Sequence, residues 1–442
     1  MQILISVVVV LILIAFGVSV PFCFLTGSFI FAWISGSSTG GFFNIAFHSI
    51  ESQTMLAIPL FLAGGVLMEK SGIAKTLVDL GEMLMKKVKG GLGAAIPVVS
   101  CFFGALCGSG SATVSTLSTM MAPTMQEKGW DKRYLAALIA ACGPLGYMIP
   151  PNMNAIMFAG VSSASVAALF LATLLPGILW AIAYIVMNRI VYTRWYHPAK
   201  TAAVSASGSR DVYTVEGEVV NEPSRWTVVR KAIPALLMPV IVLGGIYGGV
   251  FTATEAGSIG CLYGVIIGMI YYRNMNGKTV FSVFRETGET VGNIMIIFPM
   301  VLIFSRLLIL NGIPSILQNF ILGLSNSRVV ILLVIDLILV ISGCFLDVPV
   351  LILLYTPLLT PTMHMLGVSD VQFGVMMMVA IGIGTLTPPI AMHLFIVGRM
   401  LNVTIKDIWE PLWPMLLFIC IPVLLLVTFI PALSTFLPSL LV

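Results

Sequence analysis

Charge is scarce in this sequence. Only 9% of its 442 residues are Asp, Glu, Lys or Arg, against about 25% in an ordinary soluble domain. That excludes a chain whose whole surface meets water. The formal net charge of +4 is modest and implies no nucleic-acid partner; the basic residues are better read as topology signals. Histidine is nearly absent. The four present form no H-E-x-x-H or comparable ligand spacing, so a catalytic metal is not expected. The seven cysteines (Cys23, Cys101, Cys107, Cys142, Cys261, Cys344 and Cys420) lie in apolar stretches with no C-x-x-C pair. They read as small packing residues, not as a disulfide framework or a zinc site. A Walker A sequence is missing, which argues against ATP hydrolysis by this chain. Gly108-Ser109-Gly110 imitates a nucleophile elbow only as a small-residue cluster without His or Asp partners. The chain is therefore not expected to be an enzyme or to hold an organic cofactor.

What is present is apolar. Hydrophobic residues make up 59% and the mean hydropathy is +1.07. Many runs reach the roughly 20 residues that a spanning helix needs, and they lack the every-second-residue alternation of barrel strands. The expected class is an all-α polytopic membrane protein in a lipid bilayer. Spans are expected near 3–34, 53–69, 132–162, 165–193, 231–250, 255–273, 288–311, 372–402 and 411–433. The N-terminal run has no basic start and no small-residue cleavage site, so it reads as an uncleaved first span. The one long polar stretch, 194–230, is expected to be a cytoplasmic linker between halves at 1–193 and 231–442. Segment 71–89 is amphipathic at helical spacing, with Ile73, Leu77, Leu80, Leu84 and Val88 on one face. It is expected to lie along the membrane interface, with 313–324 as its weaker counterpart.

One half of the chain echoes the other. Pro123-Thr124-Met125 recurs as Pro361-Thr362-Met363, and Pro150-Pro151 as Pro388-Pro389, with 27 residues between the motifs in each copy (123 to 150, 361 to 388). Gly129 and Gly367, Gly146 and Gly384, and Ser109 and Asp347 keep the same offset of 238. Segments 92–126 and 329–365 are each long enough to enter and leave the membrane, with small or polar residues at their midpoints. They are expected to be re-entrant helical hairpins, because irregular backbone at membrane depth persists only inside protein or along a cavity. Lys86, Lys87 and Lys89 precede the first hairpin, and Lys128, Lys132 and Arg133 follow it. No Lys or Arg lies between 329 and 398. The positive-inside rule then brings the first hairpin in from the cytoplasm and the second from the opposite side, with a cytoplasmic N-terminus. Inverted repeats with interrupted segments in both halves point to a secondary transporter whose site lies between the repeats.

The two proline pairs are expected to break helices 132–162 and 372–402 mid-span. Broken ends free carbonyls that can ligate a cation and N–H groups that can receive an anion. Asn152, Asn154, Thr385 and Thr387 lie beside the breaks, and the tips add Ser109, Ser111, Thr113, Ser115 and Asp347. Gly143, Gly146, Gly382 and Gly384 allow close backbone approach. A carboxylate such as Asp347 in the middle of an apolar run costs about 2.5–3.5 kcal/mol. A bound sodium would offset that cost; capping the second arm is the other role open to it, and the two can coexist. Asp336 reads as a polar residue paired with a neighbouring helix more than as an ion relay. Arg306 reads as an ion-pair or snorkelling residue, and Glu255 as the cap of its helix.

The stretches LCGSGSATVST (106–116), GPLGYMIPPN (143–152), GGIYGGVFTATEAGSIGCLYG (244–264) and IGTLTPPIAMHLF (383–395) follow one another over nearly the whole chain. Together they resemble the large membrane subunit of the tripartite ATP-independent periplasmic (TRAP) transporters, the DctM-like family. The resemblance implies an elevator-type architecture that imports an organic acid anion, a carboxylate or sulfonate, across the bacterial inner membrane on a sodium gradient. It also implies a DctP-like periplasmic substrate-binding protein and a small four-helix DctQ-like membrane subunit as partners. Implied sodium positions are Ser109, Gly110, Ser111, Gly146, Pro150 and Asn152 in one half, and Asp347, Gly384, Thr385, Thr387 and Pro388 in the other. Substrate is implied between the tips, near Ser111, Thr113, Asn152 and Thr387. A stand-alone sodium- or proton-coupled anion symporter of the same architecture is the alternative. Many members carry an acidic residue where this chain has Gly382, which leaves the ion stoichiometry open. The family's T-P-T-E appears as Thr252-Ala253-Thr254-Glu255. No four-helix extension precedes the first span, so the small subunit is expected to be a separate polypeptide.

Overall fold

Glycine and proline set where the helices of this chain stop, and they interrupt the first apolar run at once. A computed structural model describes residues 2–195, 213–215, 218–220 and 224–441. Residues 3–34 are not one span. Gln2–Ala15 ends where Gly17 takes φ 79° and the Val18 N–H returns to the Leu13 carbonyl at 3.0 Å. Val20–Ser35 then starts afresh with Pro21 in its first turn, and the two helices pack side by side. At 14 and 16 residues each is shorter than a usual span.

Both tip segments are pairs of helices joined by a short turn. Gly91–Cys107 and Gly110–Met120 meet at Gly108-Ser109, and Ala122–Glu127 continues the second arm. Arg328–Gly343 and Val348–Met365 meet at residues 344–347. Both proline pairs break their helices where expected. Lys132–Ala141, Leu145–Met148 and Met153–Val161 form the first broken element, bent by 50° between Lys132–Met148 and Met153–Val161. Asp370–Gly384 and Met392–Leu401 form the second. The Pro150-Pro151 and Pro388-Pro389 bonds are both cis.

These broken elements lie at the centre of the molecule because their sequences are apolar on every side. From Tyr134 to Ala141 every residue is buried, and so is every residue of Asp370–Gly384 except Val371. Several polar groups in this core are paired across helices. Gln372 Nε2 donates to the Val427 and Thr428 carbonyls at 3.2 and 2.9 Å, and Thr428 Oγ1 donates to Asp336 at 2.8 Å. Asp336 is thus tied to a neighbouring helix. Around the core stand longer helices, among them Val166–Trp195 and Gly277–Leu310. The exposed side chains Ile178, Ile182, Val186 and Ile190 recur every fourth residue of the former, an apolar stripe turned outward as lipid demands. Among the described residues six helices are long and apolar enough to cross a membrane, or eight if each bent pair is one crossing.

Smaller expectations need adjustment. Ile73–Met85 buries Ile73, Leu77 and Leu80, packing on the first tip arm, but Leu84 is exposed. The final span runs Ile405–Phe429, and a further helix, Ala432–Leu441, folds back against Val166–Trp195. Glu255 caps as expected: its carboxylate accepts from the Thr252 N–H at 2.8 Å while Thr252 Oγ1 accepts from the Glu255 N–H at 3.3 Å. Much of the expected linker 194–230 lies outside the described residues. Within it, Tyr213–Val215 pairs antiparallel with Glu218–Val220, a small departure from an all-α chain, and helix resumes at Arg225.

Asn188 joins three elements with one side chain. It accepts from the Tyr134 hydroxyl at 2.9 Å and donates to the Gly90 carbonyl at 3.0 Å, fully buried. Replacing it strands the buried Tyr134 hydroxyl, a loss of about 1–3 kcal/mol, while the Gly90 carbonyl keeps the Ala94 N–H at 3.1 Å. Asn188→Leu should therefore lower the thermal unfolding midpoint of the detergent-purified protein far more than Asn44→Leu at the surface.

Candidate functional site

The site is assembled from backbone before side chains. Helices approach this closely only where Cβ atoms are missing. A methyl group on Gly104 would come within 2.8 Å of the Leu145 carbonyl and 3.1 Å of Gly146 Cα. One on Gly146 would lie 2.5 Å from Thr113 Oγ1 and 2.8 Å from the Ser109 carbonyl. The first tip thus rests directly on the first break. The second half repeats the contact: a methyl on Gly343 would stand 2.9 Å from the Ile381 carbonyl and 3.1 Å from Gly384 Cα. The Ile390 N–H also donates to the Cys344 carbonyl at 3.2 Å, linking the second tip to the residue after its proline pair.

Each tip and break is capped by its own polar residue. Ser109 Oγ accepts from the Ala112 N–H at 3.5 Å, and Thr113 Oγ1 donates to the Ser109 carbonyl at 2.9 Å. Asn152 Oδ1 accepts from the Ala155 N–H at 2.7 Å. Its buried Nδ2 has no partner among the described residues. In the second half Asp347 Oδ1 accepts from the Val348 N–H at 2.8 Å. Asp347 is exposed to solvent at the second tip. Thr385 and Thr387 donate to the Gly382 and Ile383 carbonyls at 2.8 and 2.9 Å. The Ile383 carbonyl also accepts from the Leu386 N–H at 3.1 Å, and both hydroxyls retain acceptor lone pairs. Pro388 is exposed, whereas Pro150 is buried, so the second break is the more open. After it, Ala391 turns the chain with φ 47°, a left-handed conformation that costs a non-glycine residue about 1–2 kcal/mol.

His393 unites the halves. Its ring is buried, Nδ1 lies 3.2 Å from Thr385 Oγ1, and Nε2 lies 3.0 Å from where a Gly110 Cβ would be. The imidazole of the second break is therefore wedged against the first tip. In the sequence it shows only as a lone histidine in an apolar helix directly after the proline pair. A second bridge joins Ser163 to Asp370, whose other oxygen lies 2.6 Å from His364 Nε2.

The four expected substrate residues do not share one wall. Ser111 lines a cleft of about 350 Å³ with Ser109, Ser115 and Thr116 of the first tip. Glu69, Glu286 and Thr287, from Gln53–Lys70 and Gly277–Leu310, form the opposite side. None of these scaffold residues had been singled out, because nothing local distinguishes them. No Lys or Arg lines the cleft, although Lys70 stands 3.6 Å from Glu286. Thr113 and Asn152 are buried behind the tip, and Thr387 is half-buried at the second break. Thr113 and Asn152 belong with the tip–break contact, not with the cleft. Arg306 is exposed on Gly277–Leu310 and is not among the residues lining the cleft.

Comparison with known proteins gives a consistent picture. The family model described as "Tripartite ATP-independent periplasmic transporter, DctM component" matches residues 7–433. The isethionate TRAP transporter permease protein DctMQ of Oleidesulfovibrio alaskensis is 33% identical over 393 residues, 89% of this chain. This chain spans only 59% of that relative's length. The C4-dicarboxylate TRAP transporter large permease protein DctM of Pseudomonas aeruginosa is 31% identical, covering 89% of this chain and 88% of the relative. The sialic acid TRAP transporter large permease protein SiaM of Vibrio cholerae is 29% identical over 88% and 87% of the two chains. In fold the chain resembles the crystal structure of the Alcanivorax borkumensis YdaH transporter, with a TM-score of 0.58 at 16% identity, covering 88% of this chain and 87% of the other.

The glycine contacts generate a direct test. Gly146→Ala and Gly384→Ala force a methyl against neighbouring backbone, and such overpacking costs about 1–3 kcal/mol. Gly323→Ala, which meets nothing within 4 Å, should be neutral or slightly stabilising in its helix. Thermal melts of the three variants should separate accordingly.

Proposed function

This chain belongs to the DctM component family of tripartite ATP-independent periplasmic transporters, and from that premise we propose that it is the large membrane subunit of a sodium-coupled importer of an organic acid anion. It is a multi-pass membrane protein, and its relatives are permeases and not enzymes. The substrate class is a carboxylate or sulfonate; relatives named for isethionate, C4-dicarboxylates and sialic acid support this. A DctP-like periplasmic protein delivers the substrate, and a small DctQ-like subunit braces this one in the bacterial inner membrane. The DctMQ name of a relative longer than this chain supports the second partner.

One observation carries the transport reading: the same tip-to-break contact occurs in both halves, Gly104 on Gly146 and Gly343 on Gly384. A duplicated contact of this kind supports inverted repeats, with the two tips as re-entrant hairpins and the site between them. Tips and breaks form the moving element of an elevator, and the cleft between the first tip and Gln53–Lys70 and Gly277–Leu310 is its sliding boundary. Sodium sits by Ser109, Gly110, Ser111, Gly146, Pro150 and Asn152, and by Asp347, Gly384, Thr385, Thr387 and Pro388. Oxygen atoms dominate both sets, which suits a hard cation. Electrostatics supports the coupling too. The cleft carries Glu69 and Glu286 but no lining cation. An anion entering alone is repelled, and sodium bound beforehand weakens that repulsion.

Uptake in proteoliposomes holding this chain and a candidate small subunit, with and without the binding protein, tests the reading. Uptake requiring both sodium and the binding protein is the expected result. Sodium-driven uptake without the binding protein would instead assign the chain to stand-alone symporters. Asp347→Asn keeps the capping oxygen, since Asn is as good a cap as Asp, but removes the charge. It should leave the thermal midpoint nearly unchanged while sodium activation of uptake weakens markedly; unaltered activation would remove Asp347 from the ion site.

A further inference from the structure

The two walls of the cleft beside the first tip differ in electrical character. On the scaffold side, Gln53–Lys70 touches the tip arm through bare backbone. A methyl on Gly65 would come within 2.8 Å of Cys107 Cα, and Cys107 Sγ donates to the Gly65 carbonyl at 3.8 Å. Glu69 follows one helical turn later on the same face, half-buried, and lines the cleft together with Ser109 and Ser111. Glu286 lines it too. These two carboxylates share one neighbouring cation, Lys70, whose Nζ lies 3.6 Å from Glu286 and which is not in the lining. One negative charge on this wall therefore stays unbalanced.

Thr287 adds a second, independent sign of a missing group. It lines the cleft, is only 5% exposed, and its Oγ1 has no hydrogen-bond partner among the described residues. A threonine within a helix can give its hydroxyl to the carbonyl one turn earlier, as Thr290 does to Glu286 at 3.1 Å. A buried hydroxyl left unmatched beside an unbalanced carboxylate is a place prepared for a donor.

The tip wall offers the opposite chemistry. Gly110–Met120 begins there with no acidic residue in its first turn, and Ser109 Oγ holds the Ala112 N–H only at 3.5 Å. Such an N-terminus carries partial positive charge and free N–H groups. Ser111 and Ser115, one turn apart, line the cleft from this helix and can donate through their hydroxyls. An acid with negative charge alone suits the tip wall and is repelled by the scaffold wall. A molecule with an anionic head and a cationic donor at its other end suits both.

We propose that the organic acid carried by this chain is a zwitterion, with its carboxylate or sulfonate on the tip wall at Ser111 and Ser115 and a protonated amine on the scaffold wall, donating to Glu69 and Thr287. The inference rests on the importer reading above and narrows its substrate. It gives the scaffold carboxylate a role in selection: Glu69 favours acids that bring their own positive charge.

Matched acids test this on the purified protein in saturating sodium, with affinity read from the shift in thermal midpoint, so that no binding protein intervenes. Taurine and isethionate share a sulfonate and a chain and differ in an ammonium for a hydroxyl. γ-Aminobutyrate and γ-hydroxybutyrate are the longer, carboxylate pair. In at least one pair the ammonium acid should bind about tenfold to a hundredfold more tightly, the worth of a hydrogen bond to a charged group. Glu69→Gln keeps the shape of the side chain and should abolish that preference by weakening the ammonium acid. Thr287→Val should also weaken the ammonium acid and spare its hydroxy partner. Glu127→Gln, exposed and outside the cleft lining, should change neither. Hydroxy acids that bind the wild type as tightly as their ammonium counterparts would overturn the proposal, as would a preference that survives Glu69→Gln. Succinate binding more tightly than either zwitterion would overturn it while leaving an organic acid importer in place. Stabilisation by none of these acids would overturn it as well, and the uptake measurement above decides separately whether the importer reading stands.

Discussion

Everything at the centre of this protein depends on helices touching backbone to backbone. Side chains normally hold helix axes 8–10 Å apart. Where Gly104 meets Gly146, and Gly343 meets Gly384, no side chain intervenes. The carbonyls and hydroxyls of a tip and the broken end of a helix are thereby brought into one small volume. The same omission explains how a site can exist in a chain so poor in charge. Backbone carbonyls, hydroxyls and amides supply its polarity, and a few carboxylates supply its field.

The proline pairs cooperate with that contact. A helix apolar on every face would run through the core uninterrupted, its backbone satisfied and chemically silent. Breaking it at residues 150–151 and 388–389 exposes polar groups. Asn152, Thr385 and Thr387 then bind some of the groups exposed, as caps and as hydroxyls on the last carbonyls. The breaks are not loose ends but controlled openings, and oxygen lone pairs remain at each. His393, wedged between Thr385, Gly110 of the first tip and Gly143 of the first break, ties the two openings together.

Much of this was legible in the residues. The tips, the breaks and the duplication appear as repeated Gly, Pro and Thr at a constant offset, since local backbone chemistry leaves local signatures. The cap of Glu255 was readable for the same reason. The split of residues 3–34 was signalled by Gly17, Ser19 and Pro21, but unbroken hydropathy masked it. That Thr113 and Asn152 lie buried against the tip–break contact was not legible, because a hydroxyl or amide near a tip looks alike from either side. Only packing tells which face it turns.

The sequence by itself determined the membrane class, the helix breaks and the residue types available to a site, because hydropathy and proline act over a few neighbouring residues. Tertiary structure alone decided which of them meet. Tyr147 comes to stand over Gly382, and Glu69 and Glu286 face the first tip, across separations in the chain that leave no local pattern. Such encounters are set by the sum of many close-packed contacts, and no short stretch of sequence carries that sum.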